Sequence, residues 1–236
     1  MRKHRGLAPE DRTFFDQERI GRLRQAVEDL SCLLQRGYAQ KAATELVGNR
    51  YQLTARERHA LLHAAWSGHS RKAPLPPEAL RGRRLCIDGF NLLITLETAL
   101  GGGILIRGRD GCYRDIANVH GNYSFRIETE KAVEMAADAI AALGVAEAVW
   151  YFDRPVSNSG RIARLVNRVA EARHLPMRTE TVDQVDTRLK RCPDVAVTAD
   201  AVILDSGVDW FDLAGWIIEH RIVTPLHLLD FSEGTR

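Results

Sequence analysis

Five aspartates, Asp88, Asp153, Asp183, Asp200 and Asp205, each close a short β-like apolar run in the later part of the chain. In open parallel α/β sheets, ligands bind outside the carboxyl ends of the strands. Aspartates gathered on that edge from separate segments form an acidic cluster, in which each carboxylate raises its neighbours' pKa until a cation neutralises them. Hard oxygen donors of this kind suit Mg²⁺ or Mn²⁺. Such ions activate water and stabilise the leaving oxygen of a phosphodiester. The chemistry expected is metal-dependent phosphoryl transfer or hydrolysis, with Asp88, Asp153 and Asp200 as catalytic ligands and Asp183 or Asp205 assisting. Taken singly, an aspartate after a strand is more often a turn former or helix N-cap. The set is more informative than its members. Asp88 and Asp153 stand out because each precedes unusual loop chemistry, Gly89-Phe90-Asn91 and Arg154-Pro155-Val156-Ser157-Asn158-Ser159-Gly160.

The elements that must position these residues alternate in type. Arg84–Asp88, Ala148–Phe152, Met177–Val182, Val195–Thr198 and Leu226–Leu229 read as strands, and Ala201–Leu204 as a further apolar run leading to Asp205. Phe90–Leu100, Ile127–Leu143, Ser159–His174 and Phe211–His220 read as helices. Strands alternating with helices predict a parallel α/β sheet with both faces covered. Ile104–Cys112 reads as a hairpin turning at Gly108-Arg109-Asp110-Gly111. The first part of the chain is all-helical in pattern. One helix is expected from Glu10 to Gln35, a second from Ala39 to a stop at Gly48, and a third opened by the capping box Thr54-Ala55-Arg56-Glu57. Ser67–Pro77 is too rich in proline to continue a helix. The expected organisation is a helical module at 1–66, a linker at 67–82 and an α/β domain at 83–236.

Composition bounds the class. The chain has 236 residues, 45% hydrophobic and 27% charged, as expected of a folded soluble protein. No apolar run approaches the roughly 18–20 residues of a membrane span, and no apolar stretch follows the charged N-terminus, so a secretory signal is not expected. Residues 1–84 hold 17 Lys and Arg against 9 Asp and Glu, a net of +8, and the remainder carries −6. A basic module beside an acidic one fits polyanion binding, or simple attraction between the two halves. Cys32, Cys86, Cys112 and Cys192 are far apart and contain no CxxC, so neither a zinc site nor a disulfide framework is expected, and the reducing cytoplasm is the expected compartment.

Cys86-Ile87-Asp88-Gly89-Phe90-Asn91-Leu92 resembles the opening strand of the PIN-like and NYN ribonucleases, where the aspartate is a metal ligand. Trp150-Tyr151-Phe152-Asp153 and Val197-Thr198-Ala199-Asp200 resemble later strands of that superfamily. More narrowly, most of the chain resembles the prokaryotic domain-of-unknown-function family 434, which pairs a helical N-terminal module with a PIN-like domain. Arg36-Gly37-Tyr38, Leu46-Val47-Gly48-Asn49-Arg50-Tyr51, Arg109-Asp110-Gly111, Phe152–Gly160 and Phe211-Asp212-Leu213-Ala214-Gly215 carry that likeness. The resemblance implies a Rossmann-like PIN fold, Mg²⁺ or Mn²⁺ held by Asp88, Asp153, Asp183, Asp200 and Asp205, and a ribonuclease acting on RNA. PIN domains often add an acid from a helix, for which Glu128, Glu130, Glu134 and Asp138 are candidates. Gly101–Tyr123 looks like an insertion.

Several further groups invite a role. Asn91 would orient a ligand or phosphate. Arg154, Ser157, Asn158 and Ser159 precede a helix bearing Arg161, Arg164, Arg168 and Arg173, and a helix N-terminus attracts phosphate. The bland alternative is N-capping beside a solvated basic face. Arg107, Arg109 and Arg114 either grip phosphate or pair with Asp110 and Asp115. His59 and His63, at i, i+4 spacing, read as a surface pair rather than a zinc site, because no third ligand is evident. P-loop and nucleophile-elbow patterns are absent. Two alternatives stand beside the nuclease: a non-catalytic nucleic-acid-binding or assembly protein, and a phosphohydrolase of small phosphoesters.

Overall fold

A computed structural model of the chain describes residues 3–68, 71–117 and 121–232. His69 and Ser70 of the expected linker, and residues 118–120 of the expected insertion, lie outside the described residues. In chain order the helical part contains α1 (Asp11–Phe14), α2 (Gln17–Gln35), α3 (Gln40–Arg50) and α4 (Ala55–Ala64). There follow β1 (Arg84–Asp88), α5 (Gly89–Gly101), β2 (Ile104–Arg107), β3 (Tyr113–Asp115), α6 (Thr129–Leu143), β4 (Glu147–Asp153), α7 (Ser159–Ala172) and β5 (Met177–Val182). The last elements are α8 (Val185–Lys190), β6 (Val195–Val197), α9 (Ala201–Leu204), β7 (Asp209–Trp210), α10 (Leu213–Arg221) and β8 (His227–Asp230).

The chain forms two compact units, and they do not follow the linear division expected from composition. The helical unit comprises Gly6–His69 together with Gly102–Ile116 and Pro225–Arg236. The hairpin β2–β3 and the final strand therefore belong to it, with β2 antiparallel to β3 and parallel to β8. The reason is packing. Ile104, Ile106, Ile116 and Phe231 complete an apolar core made by Leu23, Val27 and Leu30 of α2, Val47 of α3 and Leu61 of α4. The helix expected over Glu10–Gln35 is broken at Asp16, whose side chain accepts the Arg19 N–H at 2.9 Å and starts α2 afresh. α3 runs through Gly48 instead of stopping there. The bare Cα leaves room for the Arg58 guanidinium, which a Cβ would meet at 2.3 Å. The Thr54–Glu57 capping box is formed. Glu57 is buried; burial alone would raise its carboxyl pKa, but hydrogen bonds and charge from Arg19 and Thr54 outweigh it and hold the group below the usual range.

The other unit comprises Met1–Arg5, Ser70–Gly101 and Ala117–Thr224. Its sheet has five parallel strands in the order β5-β4-β1-β6-β7. Successive side chains of a strand point to opposite faces. Leu85, Cys86 and Ile87 are all buried, so both faces of the central strand are covered. Gly89 follows at once because the Phe152 ring lies against its Cα, where a Cβ would meet it at 2.3 Å. The expected linker is not free chain: Leu75 N–H donates to Trp210 O at 2.9 Å, the Trp210 indole donates to Lys72 O at 2.7 Å, and Leu80 is fully buried. Ala201–Leu204 is a turn of helix rather than a strand, begun by Asp200 as its N-cap. The buried Glu97 accepts hydrogen bonds from Arg5, Tyr123 and Thr129, which ties the segment before α6 to α5.

Cys86 and Cys192 form a disulfide across 106 residues, with their Cα atoms 6.2 Å apart, while Cys32 and Cys112 are free. This corrects the expectation of no disulfide. The pairing joins β1 to the turn after α8, and separation along the chain conceals it. Closing so long a loop restricts the unfolded chain strongly, and removal of such a bond costs about 2–4 kcal/mol. Thiol titration of the denatured, unreduced protein should find only Cys32 and Cys112. Reduction, or Cys192→Ala, should lower the urea midpoint, whereas Cys32→Ala should not. An unchanged midpoint on reduction would mean that the strap is not formed in solution.

Candidate functional site

The strand order places a topological switch beside β1. From β1 the chain proceeds to β4 and β5 on one side, then returns to β6 and β7 on the other. A crevice opens at such a point, outside the carboxyl ends of the strands. Asp88 ends β1 at this place, and the segment Thr198-Ala199-Asp200 leaves β6 beside it. The two segments are laced together. Asp88 Oδ1 accepts the Asn91 N–H at 3.1 Å and Oδ2 accepts the Thr198 hydroxyl at 3.2 Å. Asn91 Oδ1 accepts the Ala199 N–H at 2.9 Å, and Thr198 Oγ1 accepts the Asp200 N–H at 3.1 Å. Asn91 thus holds the two loops together instead of reaching outward.

Asp153, at the end of β4, accepts the Val185 N–H at 3.1 Å and so anchors the start of α8. The next residue of that helix is Asp186, which was not among the acids expected from the sequence. The carboxyl of Asp88 is pushed up to about 7, first by burial and then by the charges of Asp200 and Asp153, against the lowering effect of its hydrogen bonds from Asn91 and Thr198. Asp88 is only half-buried by exposed area, but protein atoms crowd the carboxylate itself. Burial also raises Asp186, followed by the same two charges of Asp200 and Asp153. Asp88, Asp153, Asp186 and Asp200 therefore share one electrostatic neighbourhood.

The remaining candidates are placed elsewhere. Asp183 is exposed and pairs with Arg154 at 3.4 Å, and Asp205 accepts from Arg71 Nε at 3.0 Å. Neither contributes to the raised carboxyl of Asp88 or Asp186. Two of the four helix acids are spent elsewhere: Glu128 accepts from the Arg5 N–H and contacts His4, and Asp138 pairs with Arg173. Ser159 donates to Asp153 O and Val156 O, Ser157 bonds Asn122 at 2.9 Å, and Asn158 donates to Tyr123 O at 2.7 Å from a left-handed φ of 67°. These side chains shape the turn between β4 and α7. In the helical unit, Arg114 pairs with Asp110 at 2.6 Å. His59 and His63 touch at 3.1 Å, and burial lowers His63 to about 3, so that pair is not a free surface feature.

Among the described residues no three His, Cys, Asp or Glu side chains converge closely enough to hold a metal ion by themselves. A hydrated Mg²⁺ asks for less, since it takes one or two carboxylates and completes its shell with water and phosphate oxygens. The donor types fit that demand: Asp153 and Asp200 are carboxylates that each use one oxygen on a backbone N–H.

Residues 77–216, more than half of the chain and all four clustered aspartates, match the family described as Domain of unknown function (DUF5616). The chain belongs to that family. In this DUF5616 member, residues 22–73 also match Protein of unknown function (DUF434). An uncharacterized protein of Methanocaldococcus jannaschii is 30% identical over 188 residues, covering 78% of this chain and 89% of its own. No solved structure matches the chain. Among the described residues no helix is long and apolar enough to cross a membrane.

The raised Asp88 carboxyl makes stability depend on pH. An unfolded aspartate ionises near 4, and Asp88 in the folded protein near 7. Between those values the folded state holds a proton that the unfolded state has lost, so stability falls as pH rises from about 4 to 7 and stays low above. Asp88→Asn keeps an acceptor for the Asn91 N–H and removes the buried charge. In EDTA it should gain roughly 1–3 kcal/mol at pH 8 and less at pH 5, read by urea unfolding at both. A variant equally affected at both pH values would sink the assignment of a buried charge.

Proposed function

We propose that this protein is a metal-dependent ribonuclease whose parallel sheet is a PIN-like variant of the doubly wound fold. The observation that carries the reading is the mutual electrostatic influence of four aspartates, at the ends of β1 and β4, on α8 and at the N-cap of α9, which together with burial raises the Asp88 carboxyl to about 7. Carboxylates crowded this way are costly without a cation. A bound Mg²⁺ or Mn²⁺ supplies charge neutralisation and a water of lowered pKa.

The chain's own groups have distinct tasks in this reading. Asp153 and Asp200 present the oxygens that are not used on backbone N–H groups. Asp88 would help to hold the cation as a carboxylate, kept in place by the hydrogen bonds it accepts from the Asn91 N–H and the Thr198 hydroxyl. Asp186 adds a fourth carboxylate on α8, where it can orient water. A row of arginines on α7, in the same unit, favours a polymeric phosphodiester over a small phosphoester, since a small ester has no use for cationic groups beyond its own phosphate.

Labelled single-stranded RNA incubated with the protein in Mn²⁺, Mg²⁺ or EDTA tests the reading. Wild type should cleave only with a divalent ion. Asp88→Asn should lose about 100-fold or more of the rate, on the scale of losing one group that stabilises developing charge. Asp186→Asn should slow the reaction by less, and Asp183→Asn should change it little. Cleavage that survives EDTA, or an active Asp88→Asn protein, would overturn the proposal. Salt-sensitive binding by both proteins without cleavage would point to the non-catalytic alternative.

A further inference from the structure

A groove of about 790 Å³ runs along the outer face of α7, lined by Phe125 and by Arg161, Arg164, Asn167 and Arg168 of that helix. The three arginines sit at i, i+3 and i+7, so they share one face. Their spacing along the axis is about 4.5 and 6 Å at 1.5 Å per residue. All three are exposed. Several other arginines of this unit are committed to carboxylates: Arg5 to Glu97, Arg83 to Asp194, Arg84 to Glu147, Arg173 to Asp138 and Arg178 to Glu180. The guanidinium groups of Arg161, Arg164 and Arg168 make no such ion pair among the described residues. Glu130 and Glu171 also line the groove, which leaves three positive charges against two negative ones. The arginine row, rather than the whole groove, is therefore the stretch that calls for an anion.

The aromatic end narrows the class of occupant. The Arg161 guanidinium lies over the Phe125 ring, 4.2 Å from its centroid. A guanidinium laid on an aromatic ring is a flat, cationic platform for a nucleobase. A row of cationic side chains beside such a platform is how proteins track single strands, with phosphates on the charges and bases on the rings. A duplex keeps its base faces covered, and an acidic peptide has no planar partner for the platform.

We propose that the α7 groove is a track for single-stranded nucleic acid, with one base stacked on the Phe125–Arg161 platform and successive phosphates on Arg164 and Arg168. The track deepens the ribonuclease reading and rests on it for the choice of RNA. α7 begins just after Asp153 and the turn that ends β4, so the strand would lead toward the acidic cluster.

The test is binding, measured without catalysis. A short fluorescein-labelled single-stranded RNA is titrated with full-length protein in EDTA across a salt series and followed by anisotropy. Wild type should bind with a log K that falls with log salt. Removing two phosphate contacts in Arg164→Gln/Arg168→Gln should flatten that slope by about 1.4, at about 0.7 per contact on a single strand. Phe125→Leu should weaken binding about tenfold without changing the slope, and Phe125→Trp should restore it, as stacking requires. The thermal melt of the double arginine variant should match wild type, because Arg164 and Arg168 are exposed. An unchanged slope in the double arginine variant overturns the track, as does absence of RNA binding by wild type. Poly-glutamate displacing the probe as well as unlabelled RNA does would overturn it in favour of an acidic-polypeptide surface. The two readings can therefore fail separately: a flattened slope with no cleavage by wild type keeps the track and rejects the nuclease, and cleavage with an unchanged slope does the reverse.

Discussion

A carboxylate held at the end of the central strand, crowded by protein and close to other carboxylates, is the constraint around which the sheet unit is arranged. β1 is paired on both sides, so the residue that ends it has little open solvent to face. Keeping Asp88 there requires hydrogen bonds that accept either protonation state, and the chain provides them from two directions. The Asn91 N–H comes from the first turn of α5, and the Thr198 hydroxyl comes from across the switch in strand order. Each donor is itself fixed: Asn91 by its bond to Ala199, and Thr198 by accepting from Asp200. The Asp-Gly-aromatic-Asn and Thr-x-Asp segments are thus one device in two pieces. Gly89 belongs to it as well, because the Phe152 ring occupies the volume in which a side chain would sit.

Asp186 depends on a second constraint, the fixing of α8. That helix is short, and short helices draw little stability from their own hydrogen bonds. Here both ends are tied. Asp153 accepts the Val185 N–H at its start, and the Cys86–Cys192 bond secures the turn beyond its end. Val185 and Leu189 are buried in a cluster with Cys86, Val149, Tyr151 and Ile203. The fourth aspartate of the site is thereby carried on a segment pinned to β1 and β4, the two strands that end in Asp88 and Asp153. The positions of all four acids are linked through covalent and hydrogen-bonded contacts within one unit, Asp200 through Thr198.

Much of the sheet unit was legible from the chain alone. Its central strands are apolar throughout, which is how strands covered on both faces read, and the large helices have strong apolar faces. What escaped was short or non-local. Ala201–Leu204 is as apolar as a strand, and only the capping of Val202 N–H by Asp200 decides for helix. α8 is too short to show a periodicity, so the pattern of strand-end acids points to Asp183 and leaves Asp186 unmarked. Asp183 lies in solvent, where Arg154 reaches it. The assignment of β2, β3 and β8 to the helical unit was also beyond reach, since their alternation is satisfied by either unit and only the apolar gap left by α2, α3 and α4 chooses between them.

The arginines of α7 show why legibility differs between a site and a surface. Their types and spacing were plain in the sequence, and so was a bland account in which they simply face water. What distinguishes the two is the context that the fold supplies. Most arginines in this unit spend their charge on a neighbouring carboxylate, but Arg161 is laid on an aromatic ring and Arg164 and Arg168 border an open groove. A solvated basic face needs neither a ring nor a groove. Exposed like charges at helical spacing repel one another by a few tenths of a kcal/mol per pair, and neither Arg164 nor Arg168 makes an ion pair among the described residues, although Glu130 and Glu171 line the same groove. On the reading proposed for this groove, an external anion spanning the row would relieve that repulsion, and the platform beside it would favour an anion that carries a flat, aromatic group.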